Sequence, residues 1–161
     1  MDTSYFLSIL QELTYLLVVF GTCLTYAIFR GRQALINLIT GLYLALLISL
    51  VFPYYSIFIP ATTSAYSGAI GRMVIFAIFT LLATILITRL MPEEYREKKF
   101  ESFGKKVMLA TAGTILIMAF SFHVLPVTEL LNPSTPISYL FAAKDYFFWW
   151  LLAPLVFLYF N

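Results

Sequence analysis

The stretch ALINLITGLYLALLISLVF, residues 34–52, decides how the rest of the chain is read. It holds no charged residue. A helix rising 1.5 Å per residue needs about 20 predominantly apolar residues to cross roughly 30 Å of hydrocarbon, and this run is close to that length. Pro53 closes it, because proline lacks a backbone N–H and drives the preceding residue out of the helical region. On the other side Arg30, Gly31 and Arg32 form a short charged turn that joins it to the apolar run before it.

Working outward, three more runs approach the same length. The spacing predicts spans over 13–29 (an earlier start near Tyr5 is also open), 34–52, 73–91 and 107–125, with Pro92 and Pro126 following the last two. The connector 53–71 is rich in Tyr, Pro, Ser, Thr and Gly, and the breaks at Pro60, Gly68 and Gly71 predict an interfacial loop. The segment 92–106, PEEYREKKFESFGKK, carries nine of the eighteen formal charges and belongs in water or against headgroups. Asn132 to Pro136 breaks the chain into a turn. The tail 146–160, YFFWWLLAPLVFLYF, is short for a span, has Pro154 inside it, and is rich in interfacial aromatics such as Trp149 and Trp150. It is expected to be a surface or half-inserted helix, with a fifth span as the alternative. The fold class is an all-α membrane protein: about four transmembrane helices and a C-terminal interfacial or half-inserted aromatic helix, in a single membrane domain.

Composition agrees. Of 161 residues, 61% are hydrophobic and 11% charged, against roughly 45–50% apolar and about 25% charged in soluble domains. Eighteen charges cannot clothe such a chain in water. A net charge of +2, without basic residues interleaved with aromatics on one polar surface, argues against nucleic acid as a partner. Cys23 is the only cysteine, so neither an intrachain disulfide nor a cysteine zinc site can form. His123, the only histidine, has only the distant Glu129 and Asp145 as further ligands, too few for a metal or acid–base site. There is no HExxH, no GxSxG and no pair of membrane carboxylates, so no enzyme and no cofactor is expected. No Lys or Arg precedes the first apolar run, unlike a secretory signal, and the first helix is expected to be retained.

Basic residues favour the cytoplasmic side of short loops. Arg30 and Arg32 follow the first span, while Arg89, Arg96, Lys98, Lys99, Lys105 and Lys106 flank the hairpin between the third and fourth. Both hairpins are therefore expected in the cytoplasm and the N-terminus outside, in a multi-pass protein of the cytoplasmic (inner) membrane, with Arg72 the single exception. Arg72, Lys98, Lys99, Lys105 and Lys106 are candidates for lipid headgroups, and Arg72 also for pairing with Glu12 or Glu129. Glu12, near the outer end of the first span, is expected to cap amide hydrogens or reach water.

In lipid, helices associate where small residues let backbones approach and polar side chains find partners. Asn37, Gly41, Ala45 and Ser49 recur every four residues on the second span, Thr80, Thr84 and Thr88 on the third, and Gly113 and Ser121 bracket Ile117 on the fourth. These stripes are read as a packed bundle interior or an oligomer seam, with the lining of a polar permeation path as the alternative.

A short first span, the turn Arg30-Gly31-Arg32 running straight into a second helix through Asn37 and Gly41, a polar outer loop, a charged hairpin with Gly104 before the fourth span and a final apolar helix form a recognisable order of parts. In this layout the chain resembles the colicin V production protein (CvpA) family. The tail is more apolar than that family's amphipathic end, and the fourth span starts at Lys105 and Lys106 without a second Arg-Gly pattern. The resemblance implies an inner-membrane protein linked to production or export of bacteriocin toxins and to envelope maintenance, with no catalytic residues to carry over. The expected partners are membrane lipid and either a second copy or other membrane proteins. A channel or transporter subunit is the alternative, and holin-like permeabilisation a third reading that lacks the charged terminal tail.

Overall fold

The computed structural model describes residues 3–59, 65–91, 103–123, 140–141 and 143–160. The inner part of the charged hairpin, including Lys98 and Lys99, the turn from Asn132 to Pro136, and Glu129 lie outside the described residues. Every regular element described is helical: α1 (Thr3–Arg30), α2 (Arg32–Val51), the short α3 (Tyr55–Phe58), α4 (Ala65–Leu90), α5 (Phe103–His123) and α6 (Lys144–Tyr159). Four of them, α1, α2, α4 and α5, are long and apolar enough to cross a membrane, and α6 is a shorter apolar helix.

The boundaries follow local chemistry. α2 stops at Val51, and Phe52 before Pro53 is extended, as the proline demands. α1 and α2 are separated by Gly31 alone, whose amide still bonds the carbonyl of Ala27 at 3.1 Å. Its φ of 87° and ψ of 170° lie in a region that only glycine occupies without strain. Arg30 and Arg89 sit in the last turns of α1 and α4, where a cation complements the helix dipole.

Two expectations are corrected. α4 starts at Ala65, so the connector expected over 53–71 is shorter, and Gly68 and Gly71 are inside a helix. In lipid a backbone that leaves its own hydrogen bonds has no water to replace them, and this outweighs the roughly 1 kcal/mol that each glycine costs a helix. The glycines form a notch instead: a Cβ at Gly71 would come within 3.1 Å of Ile59 and one at Gly68 within 3.6 Å. Likewise α5 begins at Phe103, so Lys105 and Lys106 belong to its first turn rather than to a loop.

α5 is the most buried of the four long helices and α4 the least. α5 packs on α1, α2 and α6, while α4 leans mainly on α2. The core gathers Cys23 and Ala27 of α1, Leu35, Ile39 and Leu42 of α2, Phe76 of α4, and Leu109, Leu116 and Phe120 of α5. Phe120 meets Phe76 and Tyr43 edge-on, with ring centroids 5.8 and 6.4 Å apart. α1 and α5 are antiparallel: Cys23 faces Gly113, and further out the Tyr15 hydroxyl meets Ser121 Oγ at 2.8 Å. With α2 antiparallel to both α1 and α4, Arg30, Arg32, Arg89, Lys105 and Lys106 share one end of the bundle, and Arg72 stands toward the other.

α6 lies along α5. Phe147 meets His123 at a tilt of 44° with centroids 4.2 Å apart, and Leu151, Phe157 and Leu158 pack against the main core. Pro154 is buried inside α6 and removes the hydrogen bond to the Trp150 carbonyl. One residue on, the Leu151 carbonyl accepts a bond from the Tyr43 hydroxyl of α2, which ties the proline-weakened turn to the bundle. Of the two tryptophans, only Trp149 is exposed as an anchor would be. The Trp150 indole donates to the Leu140 carbonyl at 3.0 Å and stacks on Phe141 at 4.6 Å.

Gly31→Ala is expected to lower stability by about 1–3 kcal/mol, because alanine cannot rest at that φ and ψ. Unfolding titrations in mixed detergent micelles would read this loss, and an unchanged midpoint would contradict the assigned backbone.

Candidate functional site

The two stripes read from the second and third spans face each other. α2 and α4 run antiparallel, and Gly41 meets Thr84: a Cβ on Gly41 would strike Thr84 Oγ1 and come within 3.0 Å of the Thr84 backbone nitrogen. One turn toward the basic end, Asn37 Nδ2 donates to Thr88 Oγ1 at 3.3 Å. In this register Ala45, fully buried, is opposite the turn of α4 that carries Thr80. At the far end Ser49 shares a 2.7 Å hydrogen bond with the Tyr55 hydroxyl.

Hydrogen bonds line the seam, and one of them, from Asn37 to Thr88, crosses it. Gln33 Nε2 donates to Asn37 Oδ1 at 3.1 Å, which occupies the other side of an amide that is only 3% exposed. Thr88, Thr84 and Thr80 each return their hydroxyl proton to the carbonyl four residues earlier, at 2.7, 2.7 and 2.9 Å. Each threonine thus keeps its own helix satisfied, and Thr88 Oγ1 still has a lone pair for Asn37. The arrangement is suited to holding two helices at close range. Gln33 is the contributor that sequence reading missed; it stands one helical turn before Asn37 on the same stripe, and that spacing is the signal that marks it.

The third stripe faces elsewhere. Gly113 lies against Cys23 Sγ, 3.5 Å from where its own Cβ would be, and Ser121 donates to the Ile117 carbonyl at 2.8 Å, which leaves Tyr15 as the donor to Ser121 Oγ. Gly113 and Ser121 therefore bind α5 to α1, apart from the seam of Asn37, Gly41 and the threonines. Arg30 is exposed, Gly31 and Arg32 are half-buried, Lys105 is exposed and Lys106 half-buried. Arg72 is exposed on α4, which packs on α2 away from the α1–α5 contact that holds Glu12.

Glu12 requires a correction. It lies well beyond the first turn of α1 and is 2% exposed, so it neither caps the helix nor reaches open water. It continues the buried stripe that holds Tyr15, and the register of Cys23 with Gly113 and Tyr15 with Ser121 puts it at the level of the last described turn of α5. Neighbouring Tyr15 and Leu16 pack there with Met118, Phe122, Phe141 and Trp150. Asp145, by contrast, is exposed at the start of α6. Among the described residues no three metal-ligating side chains come together.

No family model, curated protein or solved structure matches this chain.

Gly41→Ala is expected to cost about 1–3 kcal/mol, because the added methyl overpacks the crossing. Gly21→Ala, where nothing lies within 4 Å of the new carbon, is expected to be neutral or to stabilise by up to about 1 kcal/mol. Equal effects of the two substitutions on detergent unfolding would contradict the close approach. Asn37→Ala is expected to lose about 0.6–2 kcal/mol in the same measurement.

Proposed function

We propose that this chain is a non-enzymatic, multi-pass protein of the cytoplasmic membrane, similar in role to the CvpA family, which supports production or export of bacteriocin toxins and envelope maintenance by associating with itself or with other membrane proteins. In this reading the end of the bundle that carries Arg30, Arg32, Arg89, Lys105 and Lys106 faces the cytoplasm, where basic loops are retained.

The observation that carries association is the outward face of α1. Thr14, Thr22 and Thr25 are exposed there, and Gly21 between them opens onto empty space. The hydroxyls of Thr14 and Thr22 are returned to the carbonyls of Leu10 and Val18, both at 2.7 Å, so those two donors are satisfied within their own helix. A groove of about 460 Å³ runs beside it, bordered by Gly21, Thr25 and Phe29. Small residues on a lipid-facing ridge allow another helix to approach closely. The α2 and α4 stripes meet each other inside one protomer, which supports packing rather than the lining of a pore for Asn37, Ser49 and the threonines.

Thr25→Cys in a Cys23→Ala background, oxidised in native membranes, is expected to give a discrete crosslinked species: a dimer for self-association, or a larger adduct for a different membrane protein. A chain that stays monomeric at every cysteine position along Thr14, Gly21 and Thr25 would contradict the proposal. Steady ion conductance in reconstituted liposomes would favour the channel reading instead.

A further inference from the structure

A second groove, about 570 Å³, separates α1 from α4. One wall is built by Val18, Thr22 and Tyr26, the other by Ala77, Leu81 and Ile85, and Leu38 of α2 and Ile117 of α5 form part of its floor. Each wall follows a single helical stripe, since its residues recur every four positions. Thr80 and Thr84, which also border the groove, spend their hydroxyl protons on carbonyls of their own helix, as Thr22 does. The groove therefore offers methyl and alkyl surface along most of its length.

Each stripe ends in an arginine. Arg30 lies four residues after Tyr26 on α1, and Arg89 four residues after Ile85 on α4, so each arginine begins one helical turn, about 6 Å along the axis, beyond the last lining residue of its wall. Both arginines are exposed. The two described carboxylates, Glu12 and Asp145, stand toward the other end of the bundle. An apolar slot inside the hydrocarbon with two cations at its mouth matches one kind of molecule: a chain for the slot and an anion for the mouth. Arginine suits this position because its alkyl stem lies along apolar surface while its planar fork binds phosphate in bidentate fashion.

We propose that the groove between α1 and α4 is a binding site for an anionic phospholipid, with an acyl chain along Val18, Thr22, Leu81 and Ile85 and the phosphate held between Arg30 and Arg89. Tyr26, between the alkyl walls and Arg30, supplies the amphipathic ring that suits the level where chain meets headgroup. The site shares Val18, Thr22 and Tyr26 with the groove beside Gly21, but it requires neither self-association nor membership of a family.

The test titrates the full chain, purified in non-ionic detergent, with dioleoylphosphatidylglycerol or dioleoylphosphatidylcholine and counts retained lipid by native mass spectrometry. One phosphatidylglycerol per chain is expected to be retained, about tenfold or more tighter than phosphatidylcholine. Arg30→Gln with Arg89→Gln should abolish that preference, and Arg30→Lys with Arg89→Lys should keep most of it. Thr22→Trp with Leu81→Trp, which fills the slot and leaves both arginines, should reduce retention at least as strongly. Glycerol 3-phosphate, which has the anion but no chains, should not compete. Equal retention of the two lipids would overturn the proposal. So would a preference that survives the double glutamine variant or the filled slot. If the glutamine variant does not remain monodisperse, the lysine and tryptophan variants decide alone.

Discussion

The bundle depends on how closely α2 and α4 approach at Gly41 and Thr84. Between helices in lipid the hydrophobic effect supplies no net drive, because alkyl chains are as apolar as leucine. Association then rests on dispersion contacts and on polar groups that find one another, and both fall away steeply with distance. With glycine at position 41 the Thr84 backbone lies 3.0 Å from where a side chain would begin. That distance brings Asn37 within reach of Thr88, and the hydrogen bonds from Gln33 through Asn37 to Thr88 follow from it. α4, the least buried of the long helices, has this seam as its main attachment.

The other contacts are built on the same logic with different residues. α5 can occupy the centre because alanines and Gly113 are buried along it, so α1 and α2 both pack on it closely. The aromatic residues fill the wider spaces toward the ends: Phe52 gathers Tyr55, Phe58 and Phe79 beside the turn after α2, and Phe141 stacks on Phe122 and Trp150 beside α6. Polar side chains inside the bundle are bonded to a helix carbonyl or across a seam, so the interior tolerates Asn37, Thr114 and Ser121. Glu12, also enclosed, places an acidic group at the α1–α5 contact at the end of the bundle remote from the basic residues.

Much of this was legible from residues alone, because the lipid solvent makes strong local demands. The run 34–52 announces a span by length and by Pro53, and α2 ends at Val51. The four-residue recurrence of Asn37, Gly41 and Ala45, and of Thr80, Thr84 and Thr88, marks packing faces, and these faces do pack. What periodicity does not specify is the partner: nothing in the spacing tells that these two stripes meet each other while Gly113 and Ser121 meet α1. Gly68 and Gly71 were misleading because their usual meaning as breakers belongs to chains in water, where a frayed turn is solvated. The enclosure of Glu12 depends on a helix more than a hundred residues away, and the placing of Arg30 and Arg89 at one end of the bundle depends on α1 and α4 running the same way. Both are tertiary facts that local sequence does not carry.

The central claim is that the α2 and α4 stripes close on each other within a single chain. Its most direct test is a cysteine pair, Ala45→Cys with Thr80→Cys in a Cys23→Ala background, oxidised in the native membrane and resolved without reductant. The account predicts loss of both free thiols in a species that remains monomeric, which requires the two positions to come within disulfide reach inside one protomer. Disulfide-linked dimers at the expense of that monomer would show that the stripes meet between chains, and would contradict the account.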